Sequence, residues 1–334
     1  MMDTRSPEEA GQSCCDGGST AITGAATAEA VPGGHVVASI NGRGMATAQL
    51  VGGADAAPVQ NVSATGARAT VRSARRQVVL VMPEFNEERT LVTVLREAAP
   101  HVDRIVVVDD GSHDASYAQT MQWMRSSGLQ VDLLRHARNR GMSGALLSGF
   151  AHVYFLAANG QLGPDDVVVN IDADGQHDPA EIPGMVARLV ETGVDVVLGR
   201  RDLSGYPRYK RLGNWGLSLA GSLLAGYRYR DIECGFRAVR VRTVAALLQY
   251  FRGHRYGCAQ ELGVILPRCG FSVDNSLAVH VRYYREGARF RDGAVNASMG
   301  LLAFLRVTMR ARDRLERRVP ALLSELSSSS RVAG

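Results

Sequence analysis

Val78 to Met82 and Ile105 to Val108 are unbroken apolar runs, each followed by a polar loop. A strand with one wet face alternates polar and apolar residues, so these runs predict strands buried on both faces, as in a parallel sheet covered by helices. A stretch of helical period from Glu87 to Ala99 lies between them. The alternation then repeats: a strand near Val131 to Leu134, a helix from Ser143 to Ala158, a strand at Val167 to Ile171, a helix from Pro179 to Glu191 and a strand at Val194 to Leu198. That order predicts an α/β fold with a doubly wound sheet.

The texture changes on either side. Residues 1–76 hold no Phe, Tyr or Trp and are rich in Gly, Ala, Ser and Thr. Such a segment has little apolar surface to offset its ordering entropy and is expected to be a disordered leader, with the strand-like run His35 to Ile40 as a local exception. Beyond residue 200 come an Arg- and Tyr-rich loop, an apolar stretch from Leu212 to Ala225 and a compact segment from Asp231 to Val241. This half is expected to shape the site of a second substrate. Leu301, Leu302, Phe304, Leu305, Val307 and Met309 precede Arg310, Arg312, Arg314, Arg317 and Arg318. Residues 296–334 therefore read as an amphipathic helix with a basic continuation and tail, either packed on the sheet or touching a membrane surface.

Composition excludes several classes. An apolar fraction of 46% supports a sizeable core, and the 38 basic and 33 acidic residues are interspersed rather than segregated, so nucleic-acid binding is not expected. The five cysteines (Cys14, Cys15, Cys234, Cys258, Cys269) form neither a disulfide framework nor a zinc pattern and fit a reducing cytoplasm. Cys234 and Cys258 are expected to be small core residues, and Trp123 and Trp215 packing anchors. With no secretory leader and no run of ~18 apolar residues, the chain is expected to be soluble or at most peripheral.

The loops carry the chemistry. A dinucleotide-binding fold places GxGxxG after its first strand, whereas this chain has Pro83-Glu84-Phe85-Asn86-Glu87-Glu88 there. After the second strand, Asp109-Asp110-Gly111-Ser112 offers two carboxylates that could accept from a nucleobase N–H or from ribose hydroxyls. The sharpest pattern is Asp172-Ala173-Asp174-Gly175-Gln176-His177, directly after the Val167 to Ile171 strand. Side chains two apart in extended chain project to one side, so Asp172 and Asp174 can converge on a hard cation, Mg²⁺ or Mn²⁺, that bridges them to phosphate oxygens. His177 reads as loop structure rather than as a ligand.

Taken in order, Val81-Met82-Pro83-Glu84-Phe85-Asn86-Glu87, Val106 to Ser112, Asn139-Arg140-Gly141, Asp172 to Pro179, Gly199-Arg200-Arg201 and Asp231 to Ala238 resemble the family 2 glycosyltransferases. Within them the chain looks most like the dolichyl- or polyprenyl-phosphate mannosyltransferase branch. The resemblance implies a nucleotide-diphospho-sugar transferase fold of GT-A type over residues 77–295, with a nucleotide half at 77–200 and an acceptor half at 201–295. It also implies residue roles. Pro83, Phe85, Glu87, Val108 and Asp110 would line the nucleotide pocket, and Asp172, Ala173 and Asp174 would meet the donor. Asp172 and Asp174 would hold the metal with Gln176 supporting them, and Arg201 would face the donor's phosphate or sugar. Lys210 and Arg211 match the basic pair that this branch uses near its acceptor phosphate, and Arg285 and Arg289 fall in its closing clamp.

Three positions depart from the family pattern. Glu84 and Glu233 stand where small or hydroxyl residues are common, and the branch's Arg-x-x-Gly-x-Ser-Lys clamp is represented by Tyr284-Arg285-Glu286-Gly287-Ala288-Arg289-Phe290. Two acceptors are compatible with this set. A polyprenyl phosphate is already anionic at neutral pH and needs no protein base. A small hydroxyl acceptor, met by a soluble enzyme of secondary metabolism, needs one, and Asp231 or Glu233 is then the candidate. Either way the expected reaction is metal-assisted transfer of a hexose with inversion, at the cytoplasmic side of a membrane if the acceptor is a lipid.

Overall fold

The computed structural model describes residues 35–40, 46–51, 75–253, 257–282, 290–310 and 315–329. Strands β1 (His35–Ile40) and β2 (Ala46–Val51) pair antiparallel with each other. The rest of the segment before Arg75, read above as a leader, lies outside the described residues.

The expected α/β alternation follows. It comprises β3 (Val78–Glu84), α1 (Leu91–Ala98), β4 (Arg104–Asp109), α2 (Ser116–Ser127), β5 (Gln130–Arg135), α3 (Met142–Ala158), β6 (Val167–Asn170), α4 (Ile182–Thr192), β7 (Val196–Leu198) and β8 (Arg200–Arg201). The second half contains α5 (Arg208–Ala225), β9 (Arg237–Arg240), α6 (Val244–Tyr250), α7 (Cys258–Arg268), β10 (Val273–Asp274), β11 (Ala278–Val279), α8 (Phe290–Thr308) and α9 (Leu315–Ser329).

Seven strands form one sheet in the order β10-β7-β9-β6-β3-β4-β5. Every residue of β3 and β6 is buried, as their unalternated sequences require. All pairings in this sheet are parallel except those of β9, which runs antiparallel between β6 and β7. Strand order turns back at β3: the chain proceeds through β4 and β5 on one side and returns with β6 on the other. Such a switch point opens a crevice beyond the strands' carboxyl ends, and the loops after β3 and β6 both empty into it.

Trp123 is buried, as expected, but Trp215 is not a packing anchor: it is 62% exposed on α5. The cause lies on the opposite side of that helix. The face of α5 turned to the core carries Ser218, Gly221 and Ala225, and a Cβ on Gly221 would sit 2.4 Å from Ile232 Cδ1. Close packing of the backbone leaves room only for small residues there, so the large ones face outward. Cys234, Cys258 and Cys269 are buried, and none of them is in a disulfide. Among the described residues, no helix is long and apolar enough to cross a membrane.

Candidate active site

The loops after β3 and β4 form one body. Asn86 adopts the left-handed conformation (φ 56°), which asparagine tolerates better than most residues. In that pose its N–H donates to Ser112 Oγ at 2.9 Å and its Oδ1 accepts from the His113 N–H at 2.9 Å. The Ser112 hydroxyl donates to Glu84 Oε2 at 3.1 Å, and the Ser112 N–H to Asp109 Oδ1 at 2.7 Å. Pro83 and Val108 are buried side by side in register beneath these loops. Phe85 is 37% exposed with its ring edge against His113, leaving a face for a planar ligand.

Glu84, one of the departures from the family pattern, is buried with Oε1 lacking any partner. Burial and the neighbouring Asp109 charge push its pKa up to about 8. Asp110 is also buried, but its oxygens are occupied. They accept from His136 Nδ1 at 2.6 Å, the Arg140 N–H at 2.9 Å and the Gly141 N–H at 2.7 Å. Asp110 thereby organises the turn that opens α3, with both carboxylate oxygens accepting from protein donors.

Across the switch point, the Gln176 N–H donates to Asp174 Oδ1 at 2.9 Å and its side-chain amide to Oδ2 at 2.5 Å. Gln176 therefore orients Asp174. Asp172 is pushed up to about 7 by burial and then by the charge of Asp174; Arg237 and Arg201 oppose the shift, while Glu87 adds to it. Glu87 is itself raised, by burial first, with Asp174 among the causes. Carboxylates from the β3 and β6 loops thus crowd one space, an arrangement that disfavours their own charge and suits a hard dication. Among the described residues, no three His, Cys, Asp or Glu side chains are grouped to hold a metal alone. A cation here would take part of its oxygen shell from phosphate and water, as Mg²⁺ commonly does.

Gly235 backs this site. A Cβ there would lie 3.1 Å from Asp172 Oδ2 and 3.4 Å from His177 Nε2, while Asn170 Nδ2 holds the Gly235 carbonyl at 2.6 Å. His177 is buried, bridges to Val281 and packs edge-on against Phe236 at 5.4 Å. Burial and the charges of Arg201 and Arg237 push it down to about 4, so it is neutral at physiological pH.

Arg201 donates from Nε and Nη2 to the two oxygens of Asp231, at 2.8 and 2.9 Å, and from Nη2 to Asn214 Oδ1 at 2.9 Å. Asn214 sits on α5 one turn after Lys210, so the helix sets Lys210 on the Arg201 side. Arg211, its neighbour, is exposed on a different face. Glu233 is held by Gln260 Nε2 on Oε1 at 2.7 Å and Asn296 Nδ2 on Oε2 at 3.0 Å, and burial raises its pKa. Both oxygens of Asp231 and of Glu233 are therefore engaged. Arg285 and Arg289 lie outside the described residues. Reading the sequence missed Arg237, buried on β9 beside Asp172, and the amides Asn214, Gln260 and Asn296. No local pattern marks these amides, because their partners are 13 to 63 residues away.

Residues 79–249 match the model of the glycosyl transferase family 2. The chain is 30% identical over 212 residues to a UDP-N-acetylglucosamine–dolichyl-phosphate N-acetylglucosaminyltransferase of Methanococcus voltae, covering 58% of this chain and 82% of that protein. It is 30% identical over 206 residues to an undecaprenyl-phosphate mannosyltransferase of Micrococcus luteus, covering 58% and 79%. Among solved structures it is similar to a glucosyl-3-phosphoglycerate synthase from Mycobacterium tuberculosis, at 20% identity and a TM-score of 0.48, covering 70% of this chain and 80% of that one. A mostly parallel sheet with its loops gathered at the switch point, together with a family match spanning half of its length, makes this chain a member of glycosyl transferase family 2.

Proposed function

We propose that the enzyme transfers a hexose, with inversion, from a nucleotide-diphospho-sugar to a polyprenyl phosphate at the cytoplasmic face of a membrane. The observation that carries this reading is the Asp172-Ala173-Asp174 loop at the switch point, with Gln176 bonded to both oxygens of Asp174 and with Arg201 held on Asp231 across from it. Asp172 and Asp174 would hold Mg²⁺ or Mn²⁺, with Gln176 fixing Asp174. When bound, such a cation neutralises charge on the leaving diphosphate. Phe85 would take the nucleobase, on a floor built by the buried Pro83 and Val108, and Arg201, kept in place by Asp231 and Asn214, would face the donor's phosphates or sugar. Lys210 would receive the acceptor phosphate and Arg211 would guide it, with Arg285 and Arg289 completing the clamp.

The relatives named above act on dolichyl and undecaprenyl phosphates by their names, which supports a lipid phosphate here. The hydroxyl alternative needs a general base, and the engaged oxygens of Asp231 and Glu233 speak against both candidates. Lys210→Ala and Arg211→Ala should each weaken use of a polyprenyl phosphate by roughly 1.5–3 kcal/mol while sparing donor hydrolysis, with Glu233→Gln mild. The reverse order, with Glu233→Gln losing about 10²–10⁴-fold in rate and the basic pair silent, would establish the hydroxyl reading instead.

A further inference from the structure

Helix α5 is built inside out. Leu212, Trp215, Leu219 and Leu223 recur at helical spacing on one side, opposite the small Ser218, Gly221 and Ala225 that meet the core. Leu212 is 66% exposed, Trp215 62% and Leu223 73%. Its neighbour α8 repeats the pattern. Asn296, Met299, Ala303 and Val307 are buried, while Leu301, Leu302, Leu305 and Met309 on the other side are exposed. The two helices touch where Leu224 meets Gly300. Isolated exposed leucines are ordinary, but two contiguous helices each turning a large apolar face outward mark a docking surface.

Charge selects the occupant. Residues 208–230 contain five basic and no acidic side chains, and Arg208, Arg211, Arg228 and Arg230 are exposed. Residues 295–310 likewise contain no Asp or Glu, and end on the exposed Arg310. An apolar face flanked by basic residues, with no acidic residue in 208–230 or 295–310, fits an anionic lipid surface. A second copy would bring like charges together, so self-association is disfavoured.

We infer that the outer faces of α5 and α8 dock the enzyme on the surface of an anionic phospholipid bilayer, with Trp215 at the headgroup level. Neither helix is long and apolar enough to cross it. This deepens the lipid-acceptor reading and rests on it for purpose, although its physical basis is separate. It also gives Arg211 a place. Arg211 is exposed at the start of α5, one turn before Trp215, where it would meet phosphate groups at the bilayer surface.

The test uses the full chain and vesicles of phosphatidylcholine with or without phosphatidylglycerol. Trp123 is buried and Trp215 exposed, so a blue shift of emission on vesicle binding reports Trp215. We expect co-sedimentation and a blue shift with the anionic vesicles only, weakened by high salt. Leu219→Gln and Leu223→Gln on α5, or Leu302→Gln and Leu305→Gln on α8, should each weaken partitioning on the order of tenfold, with circular dichroism and donor hydrolysis unchanged. No binding to either vesicle, or a blue shift that appears without lipid as the protein dimerises with rising concentration, would overturn the inference. Transfer to polyprenyl phosphate in detergent micelles, measured on the same samples, separates the two proposals. Micellar transfer without vesicle binding removes only the docking face, and vesicle binding without micellar transfer removes only the acceptor reading.

Discussion

Arg201 and Asp231 form a two-point pair, Nε to Oδ2 at 2.8 Å and Nη2 to Oδ1 at 2.9 Å, with Asp231 almost wholly buried. The pair joins the strand after β7 to the loop before β9, and through Asn214 it reaches α5. Asp231→Asn keeps the side-chain shape but leaves a guanidinium without its counter-charge. We expect a loss of unfolding free energy of about 3 kcal/mol by denaturant titration, because breaking a buried pair from one side leaves the other charge uncompensated. Arg201→Lys should lose the fork geometry and raise KM for the donor more than it lowers stability.

Glu84 gives a pH signature. Its pKa is raised from the ordinary carboxyl range to about 8 by burial and Asp109. The folded chain then holds a proton that the unfolded chain has lost, so the group's contribution is full below about pH 4.5 and falls as pH rises toward 8. The slope is at most about 1.4 kcal/mol per pH unit. Glu84→Gln mimics the protonated form, and it should match wild type near pH 5 and exceed it in stability at pH 8. Equal stability of the two proteins across that window would show that Glu84 is ionised in the fold.

Gly235→Ala would put a methyl group 3.1 Å from Asp172 Oδ2. His177 Nε2 lies 3.4 Å from the same methyl group, so the carboxylate must shift by a few tenths of an ångström to relieve the contact. We expect kcat/KM for donor hydrolysis to fall on the order of tenfold or more at near-wild-type melting temperature, since small misplacements at a reacting centre are costly.

The sheet was readable in advance because burial on both faces writes itself as apolar runs, Val78 to Met82 and Val167 to Val169. Strand β9 was legible only as a compact segment. It begins and ends on the buried Arg237 and Arg240, and the burial of Arg240 is offset by distant partners, such as the Val194 carbonyl that accepts from its Nε. Asp172, Asp174 and Gln176 stood out because their spacing is local. The occupation of Asp110 by His136 and of Asp231 by Arg201 depends on contacts 26 and 30 residues apart, which no local spacing encodes. Trp215 was misread for a related reason: aromatic residues are usually buried, and only the close approach of Gly221 to Ile232 turns this one outward.

Deleting residues 1–70, read as a leader, should leave melting temperature and turnover unchanged. A drop in either would mean that the segment docks on the catalytic body.

The most direct measurement is transfer of labelled sugar from nucleotide-diphospho-sugars to a polyprenyl phosphate, with Mn²⁺ or Mg²⁺ present or chelated, by wild type and Asp174→Asn. The account predicts a lipid-extractable product that disappears on chelation. With Asp174→Asn, a folded protein should make that product on the order of a hundredfold more slowly. Near-normal turnover by Asp174→Asn, or a wild type inert toward every polyprenyl phosphate while it glycosylates a hydroxyl acceptor, would contradict it.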